Sequence, residues 1–223
     1  MILQILFWLL PWNIRRFLLK KIYHFEFSSG AKIGFSIILA KKMKMGQNSS
    51  IGHFTICKKI DYLEIGDNSG LGNNNRITGF SVESPIVRQH GHFSHIKDRK
   101  CEFVIGNNVG ITSNHYFDCN GGIYIGDFVQ IAGLDSIFMT HSIDLKASRQ
   151  DAESIHIGSY TFVGARVTIL KGSSIGKNCI VGAGAVVGKK FDLDYRLIGG
   201  VPAHYIKSVE GYKFFERKEG FVK

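Results

Sequence analysis

The chain has little proline and no long apolar run. It has only 3 Pro against 26 Gly in 223 residues, a balance that favours many tight turns and few rigid breaks. Its most apolar stretch, residues 1–12, meets Asn13, Arg15 and Arg16 before the ~20 residues of a membrane-spanning helix are reached. No basic segment precedes that stretch and no small-residue cleavage pattern follows it, so a secretory signal is not expected.

Cysteine is sparse, and no metal-binding spacing occurs. Cys57, Cys101, Cys119 and Cys179 form neither a C-x-x-C pair nor a cluster with zinc-ligand spacing. They are typical of reduced, packed thiols, which predicts a cytoplasmic protein without a metal centre. The net charge of +10 favours acidic partners such as phosphates, nucleotides or an anionic membrane. No nucleic-acid-binding motif accompanies that charge, so no nucleic-acid partner is predicted.

Residues 1–23 contain no acidic side chain. Four basic residues, Arg15, Arg16, Lys20 and Lys21, stand among apolar ones. This composition suits a helix that lies on an anionic membrane leaflet, a peripheral contact at the inner face of the cytoplasmic membrane. It suits equally well a helix packed over the open end of a core or against a neighbouring subunit, and the sequence leaves these alternatives open.

A six-residue repeat dominates the second half of the chain. From Ile157 the sequence reads IGSYTF, VGARVT, ILKGSS, IGKNCI, VGAGAV and VGKK, and every block opens with Ile or Val. The same register returns upstream in blocks that open at Ile65, Ile105 and Ile125. The fifth positions from Ile157 onward are small or β-branched: Thr161, Val167, Ser173, Cys179 and Ala185.

A period of six fits neither an α-helix nor an alternating strand. It predicts a coil of three short strands, with ~18 residues per turn and with the first and fifth positions of each block pointing inward. Two polar segments, 80–103 and 142–156, interrupt the repeat. Loops that leave a rigid scaffold are where binding residues concentrate.

From about Lys32 to Lys207 the sequence resembles the hexapeptide-repeat acyltransferases, which include galactoside, maltose and serine acetyltransferases. VGAGAVVGKKF and IGGVPAHYIK are similar to the last coil of that family, and MTHSID resembles the segment that holds the catalytic histidine of sugar acetyltransferases. The resemblance implies an all-β fold, a left-handed parallel β-helix over 31–190. A short N-terminal helix within 1–30 and a C-terminal extension, 191–223, would flank it. Within that family the sequence looks most similar to the bacterial surface-polysaccharide O-acetyltransferases, partly because of its apolar and basic N-terminus.

The resemblance also implies a homotrimer that holds acetyl-CoA between two subunits, with a sugar acceptor near the histidine. Small side chains would let the pantetheine arm lie flat, and a lysine would face the 3′-phosphate end. The same glycines and alanines are also explained by the shaping of corners alone. The implied acetyl-CoA residues are Gly164, Ala165, Ala183, Gly184, Gly188, Lys189 and Lys207.

Acyl transfer to a hydroxyl needs a base, and histidine suits this task because its ordinary pKa is near 6.5. His141, in MTHSID, is the predicted base. His115 and Asp135 are the fifth residues of ITSNHY and IAGLDS, which are inward positions. They are therefore predicted to pair across adjacent turns, because a lone buried ionisable group is costly. His141 is likewise fifth after Ile137.

The division of roles within this cluster stays open at the level of sequence. Asp135 or Asp118 could orient a histidine, and Asn114 could contact the acceptor. His115 could be the base instead, or His115 and Asp135 could form a structural pair without a catalytic role. We predict O-acetylation of a sugar hydroxyl, with N-acetylation of a nucleotide-linked amino sugar as the alternative. A zinc enzyme resembling γ-carbonic anhydrase and a non-catalytic scaffold are the other classes that share such a coil.

Overall fold

The structure, a computed structural model, describes residues 2–220. Met1 and residues 221–223, which belong to the predicted N-terminal segment and tail, lie outside the described residues. The helices are α1 (Ile2–Phe7), α2 (Trp12–Tyr23), α3 (Pro85–His90) and a 3₁₀ helix (Lys213–Glu216). Within residues 2–220, none of the helices combines the length and the apolar character needed to cross a bilayer.

The strands are short, and most have two to four residues. In chain order they are β1 (Glu26–Phe27), β2 (Lys32–Ile33), β3 (Ile37–Leu39), β4 (Lys42–Met45), β5 (Ser50–Ile51), β6 (Ile56–Lys58), β7 (Tyr62–Ile65), β8 (Gly70–Leu71), β9 (Arg76–Thr78), β10 (Glu102–Ile105), β11 (Gly110–Ile111), β12 (Tyr116–Asp118), β13 (Ile123–Ile125), β14 (Gln130–Ile131), β15 (Ile137–Met139), β16 (His141–Asp144), β17 (Arg149–Ala152), β18 (Ile155–Ile157), β19 (Phe162–Val163), β20 (Thr168–Leu170), β21 (Ser174–Ile175), β22 (Ile180–Val181), β23 (Val186–Val187), β24 (Lys190–Phe191), β25 (Arg196–Gly199) and β26 (His204–Ser208).

Three parallel sheets form the walls of a triangular prism. Sheet A has the order β1-β4-β7-β10-β13-β18-β21-β24, and sheet B has the order β2-β5-β8-β11-β14-β19-β22-β25, with β26 antiparallel at its end. Sheet C has the order β3-β6-β9-β12-β15-β20-β23. The chain visits A, B and C in turn, so each circuit is one coil with three corners, named here AB, BC and CA. This confirms the predicted left-handed parallel β-helix.

The hexad rule sets the core. Ile157 pairs with Ile175, Val163 with Val181 and Ile169 with Val187, each pair 18 residues apart. All six side chains are buried, and so are the small residues at the fifth positions. Each coil therefore covers the apolar surface that its neighbour would otherwise expose. In the middle of the prism the inward side chains are aromatic. The ring centroid of Phe117 lies 4.7 Å from the ring centroids of both Phe103 and Phe138.

The coil is longer at both ends than predicted. Its first strand, β1, pairs with β4 and begins before residue 31, and β25 pairs with β22 beyond residue 190. The predicted single N-terminal helix is two helices, α1 and α2. The boundaries were missed because Phe27 and Phe191 take inward positions that the repeat elsewhere fills with Ile or Val.

Both interruptions of the repeat leave the coil at corner CA. The first connects β9 to β10 and contains α3. The second is not a loop: β16 and β17 pair as an antiparallel hairpin, with His141 opposite Ala152. The chain rejoins sheet A at Ile155, before the predicted end of this segment at 156. Both insertions leave the same corner, two coils apart, with the short corner that follows β12 between them.

Candidate active site

His141 stands where the hairpin leaves the prism. It is the first residue of β16, and its side chain is 28% exposed. Its Nδ1 is hydrogen-bonded to Oδ2 of Asp118, and its Nε2 makes no hydrogen bond with the described residues. A carboxylate can only accept, so Nδ1 carries the proton and the lone pair of Nε2 faces outward. The imidazole is thus arranged to accept a proton.

Asp118 is the buried partner of His141. It ends β12, one coil earlier, and its side chain is 1% exposed. Its Oδ1 accepts hydrogen bonds from the backbone N–H of Asn120 (3.1 Å) and from the Asn120 side-chain amide (2.6 Å). Such donors are what a buried carboxylate requires. They also fix its direction, and so fix the histidine ring.

Asn120 was not identified from the sequence. Its Nδ2 also lies 3.2 Å from Nδ1 of His141, while its Oδ1 accepts the backbone N–H of Phe80 at 2.7 Å. It therefore joins the Asp118–His141 pair to the start of the first insertion. The available signal was the alternation of Asp118 and Asn120 on the polar side of FDCN, just before the two glycines that open the corner.

The first insertion packs on the histidine through Phe93. This buried ring lies edge-on to the His141 ring, with centroids 6.2 Å apart. The guanidinium carbon of Arg99 lies 4.6 Å from the centre of the Phe93 ring, and its Nη1 donates to the carbonyls of Phe80 and Asn120, both at 2.9 Å. Arg99 and Phe93 therefore limit the movement of His141 from the side opposite the coil.

An ionic link joins the two insertions. His95 Nε2 lies 3.1 Å from Asp151 Oδ1, and Asp151 also forms an ion pair with Lys171. Lys171 approaches Glu153 at 3.5 Å as well. The hydrogen bond from Lys171 lowers the pKa of Asp151. These contacts tie the first insertion to the hairpin, and the hairpin to the coil just after β20.

A cleft of about 670 Å³ borders the site along sheet A. Its lining includes Gly121, next to Asn120, and Ala152, the strand partner of His141, but neither His141 nor Asp118. Its wall is polar and aromatic, with the rings of Tyr124 and His156 stacked 4.8 Å apart. Its lining also includes residues of both insertions and of the later coils: Ile96, Asp98, Arg99, Lys100, Glu153, Ser154, Gly172, Ser173, Ser174, Lys190 and Asp192.

Comparison with known proteins agrees with the coil. The profile of the bacterial transferase hexapeptide family (six repeats) matches residues 154–189. These residues therefore carry the hexapeptide repeat of that family. It is 34% identical over 110 residues to a protein of Staphylococcus aureus (strain COL) that is provisionally named an acetyltransferase, a match that covers 48% of this chain and 55% of that protein.

A second relative is a protein of Mycobacterium tuberculosis (strain ATCC 25618 / H37Rv), also provisionally named an acetyltransferase. It is 29% identical over 97 residues, which cover 43% of this chain and 32% of that protein. The chain therefore spans about a half and about a third of the lengths of these two relatives.

Two solved structures share the fold. LpxA from Acinetobacter baumannii superposes with a TM-score of 0.54 at 18% identity, covering 82% of this chain and 70% of that chain. A mutant of AntD, an N-acyltransferase from Bacillus cereus in complex with dTDP and coenzyme A, gives a TM-score of 0.51 at 20% identity, covering 89% and 91%. At these identities the likeness concerns the fold.

The predicted pairing of His115 with Asp135 is wrong. His115 is 1% exposed and uses both ring nitrogens: Nε2 bonds to Thr112 Oγ1 at 2.9 Å, and Nδ1 accepts the backbone N–H of Ser136 at 3.1 Å. Asp135 is exposed, and its Oδ2 lies 3.8 Å from Nε of Arg166. No hydrogen bond joins the two residues, and His115 offers no nitrogen to a substrate.

An extra corner residue explains the error. Four residues separate the paired strand ends Ile111 and Tyr116, but five separate Ile131 and Ile137 in the next coil. Ser136, not Asp135, therefore takes the inward position. The same shift places Thr140 inward and moves His141 out to the mouth of corner CA. A strict count of six cannot detect such an insertion.

The burial of His115 predicts an acid-sensitive fold. Burial lowers the pKa of His115 to about 4, and the charge of Asp135 opposes this only in part. An unfolded chain has a histidine pKa near 6.5, so it binds a proton before the folded protein does. Stability is thus complete above about pH 6.5 and is lost as the pH falls towards 4, by up to ~3 kcal/mol. Urea unfolding at several pH values measures this loss.

A His115→Asn variant is the matched comparison for that prediction. It keeps a neutral polar side chain but removes the titrating group, so its stability should change less between pH 6.5 and 4. An equal acid-dependent loss in the variant and the wild type would contradict the assignment.

The other predicted site residues are dispersed over the prism. Asn114 lies exposed at corner BC, where its Oδ1 accepts from Asn74 Nδ2 at 2.6 Å, and the length of β12 separates it from corner CA. The implied acetyl-CoA residues occupy three places. Gly164, Ala165, Ala183 and Gly184 lie at corner BC, Gly188 and Lys189 at corner CA, and Lys207 on β26.

The predicted glycines differ in how much space surrounds them. A Cβ at Gly164 would lie 2.8 Å from the backbone nitrogen of Ala183, so this glycine is needed for coil stacking. A Cβ at Gly184 would meet nothing within 4 Å, and one at Gly188 only Leu170 at 3.5 Å. Gly184 and Gly188 therefore leave room on the outside of the prism. Residues 2–220 contain no group of three or more His, Cys, Asp or Glu arranged to hold a metal ion.

Proposed function

We propose that the protein is an acetyl-CoA-dependent O-acetyltransferase that acts on a sugar hydroxyl in surface-polysaccharide biosynthesis. The observation that carries this proposal is His141 on a hexapeptide coil, held by the buried Asp118 while its Nε2 makes no hydrogen bond with the described residues. A polar cleft lies close by, lined by Gly121 and by Ala152, the strand partner of His141. A hydroxyl must lose its proton as it attacks, and a histidine oriented by a carboxylate serves this purpose. The named relatives support acetyl transfer as the reaction class.

The chain's own groups account for the proton transfers. Nε2 of His141 accepts the proton of the acceptor hydroxyl while the oxygen of that hydroxyl bonds to the acetyl carbon of the thioester. The imidazolium then returns this proton to the sulfur as the carbon–sulfur bond breaks. Asp118 stays ionised throughout and stabilises the imidazolium through Nδ1–H. The products are an O-acetyl sugar and a free thiol.

The surface offers places for the acyl donor. Gly188 and Lys189 lie at the same corner as His141, two coils further on, or ~10 Å at ~4.8 Å per coil. Gly184 opens corner BC on the far side of sheet C. The Lys207 side chain is exposed, its Nζ 6.0 Å from the Tyr212 ring centre, and suits the phosphate end of the donor.

A homotrimer is part of the proposal. Between corners BC and CA, the outer face of sheet C exposes three large apolar side chains, Tyr116, Ile137 and Leu170. An apolar face beside an incomplete site is typical of a surface that a second subunit covers. We also place the protein in the cytoplasm, with a peripheral membrane contact of residues 1–23.

A thiol-release assay tests the proposal. Acetyl-CoA is offered with free sugars, nucleotide sugars including amino sugars, and lipid-linked oligosaccharides, and the products are analysed by mass spectrometry. We expect acceptor-dependent thiol release and a product whose acetyl group is removed by mild alkali, as for an ester. An alkali-stable amide would favour N-acetylation of a nucleotide-linked amino sugar. No release with any acceptor, together with no binding of acetyl-CoA, would overturn the proposal.

A further inference from the structure

The two N-terminal helices close the open end of the prism. Their inner face buries Phe7 and Leu19 against the core. Gln4 hydrogen-bonds both the N–H and the carbonyl of Ile38, at 2.7 and 2.6 Å, and Arg15 donates to the carbonyl of Gly34 at 2.6 Å. These contacts hold the cap on its inner side, where the buried Nε of Arg15 has no hydrogen-bond partner among the described residues. None of them involves the outer side of the helices.

The outer side of the same helices is apolar and exposed. Leu9 is 86% and Phe17 is 58% exposed. Single exposed apolar residues are ordinary, but eight within residues 2–22 favour an interaction surface. We call this group the end patch: Ile2, Leu3, Ile5, Leu6, Leu9, Ile14, Phe17 and Ile22.

Positive charge lies next to the end patch. Lys20 and Lys21 are exposed at the end of α2, and no acidic residue precedes Glu26. The first sixty residues contain ten Lys and Arg against one acidic residue, a net +9 out of the +10 of the whole chain. The remaining 163 residues hold 18 basic and 17 acidic residues and are almost neutral. Asp61, Glu64 and Glu83, which lie beyond residue 60, pair with Lys41 and Lys44. Lys20 and Lys21 are the exposed cations of the capping helices.

We propose that the end patch docks the protein on an anionic lipid bilayer, with its apolar side chains in the headgroup region and its lysines on the lipid phosphates. Exposed apolar residues next to lysines, with no acidic residue in the same helices, are the composition that such a surface binds. A second copy of the chain fits poorly, because a self-complementary contact would bring two basic ends together. Docking at the end of the prism leaves corner CA open to solvent.

Vesicle co-sedimentation tests this docking. Wild-type protein is mixed with vesicles of phosphatidylcholine alone or of phosphatidylcholine with phosphatidylglycerol. We expect binding to the anionic vesicles that weakens with added salt, and little binding to the neutral ones. The double variant Leu9→Asp/Phe17→Asp should bind at least about tenfold less. Leu145→Asp, at an equally exposed leucine (87%) on the tip of the hairpin, should bind like the wild type.

Two charge-reversal variants test the electrostatic contribution to vesicle binding. Lys20→Glu/Lys21→Glu should lose binding to the anionic vesicles, whereas Lys213→Glu/Lys218→Glu, in the C-terminal tail, should retain it. Melting temperatures check that each variant is folded, which is expected because all these side chains are exposed.

Three results would overturn the proposal. Wild-type protein could fail to bind either kind of vesicle. The end-patch variant, Leu9→Asp/Phe17→Asp, could also bind the anionic vesicles as well as the Leu145→Asp control does. Alternatively, the end-patch variant could change the oligomeric mass while no vesicle binding occurs, which would assign the patch to contacts between subunits. None of these readouts depends on acetyl transfer, so a failure here and a failure of the proposed activity are distinguishable.

Discussion

Replacing His141 with alanine is expected to lower kcat by about 10²–10⁴-fold, the usual contribution of a positioned general base. Nε2 of His141 is the open nitrogen at the site, and removing it leaves the acceptor hydroxyl without a group to take its proton. The fold should persist, because the side chain is partly exposed and lies at the mouth of corner CA rather than in the core. Steady-state thiol release at saturating acceptor measures the loss.

Two further histidine variants make that result specific. His53→Ala removes an exposed histidine at corner BC of an early coil and should leave kcat unchanged. His115→Asn should alter stability but retain most of the turnover, because both of its ring nitrogens are engaged within the prism. Full activity in His141→Ala would exclude this residue as the base.

Replacing Asp118 with asparagine is expected to lower kcat by about a hundredfold or more. The substitution keeps the shape of the side chain but removes the negative charge that stabilises the imidazolium. An amide can also turn its NH₂ group towards Nδ1, which would place the proton of the histidine on Nε2, the wrong nitrogen. The Michaelis constant for the acceptor should change little, because Asp118 is buried behind the ring and does not face the cleft.

The control for this variant is another carboxylate with a structural hydrogen bond. Asp127 accepts the backbone N–H of Asn107 at 2.6 Å at corner AB, away from both insertions. Asp127→Asn should therefore retain its turnover, even if it loses some stability. Equal losses of kcat in the two variants would show that Asp118 acts through the fold and not through His141.

The coil was predictable because its cause is local. Each hexad places one aliphatic and one small residue at the inner wall, so the pattern that buries Val163 on Val181 is readable without knowing any distant contact. The ends were less predictable, since Phe27 and Phe191 fill inward positions with a different kind of side chain. The six-residue period therefore predicts the middle coils of such a prism better than its first and last coils.

The site was predictable only in part. His141 and Asp118 were both named, but Asp135 was placed on the wrong side of the wall by one extra residue at corner BC. When one extra residue enters a strict repeat, every later residue is counted one position off. A residue predicted to point inward then points outward, as after a one-residue register shift in any strand. The inward placement of His141 was wrong, and its role as the base stays a prediction.

The hexapeptide pattern does not predict the contacts of Asn120, Phe93 and Arg99. Phe93 and Arg99 belong to an insertion with no repeat. Phe93 meets His141 because the first insertion reaches along corner CA, past the corner that follows β12, to the start of the second insertion. Contacts of this kind depend on how irregular segments fold over one another, and a single sequence carries no periodic signal for them.

The regular stacking of the coils sets a distance between the end of the prism and its chemistry. His141 follows β15, the fifth strand of sheet C counted from the capped end, so four steps of ~4.8 Å place it roughly 20 Å above the first strand. A prism that stands upright on a bilayer would carry out its reaction at that height, well clear of the lipid. A saccharide that is still attached to its lipid carrier would reach His141 only after growing beyond its first sugars, so the number of coils would select the length of the chain that is modified.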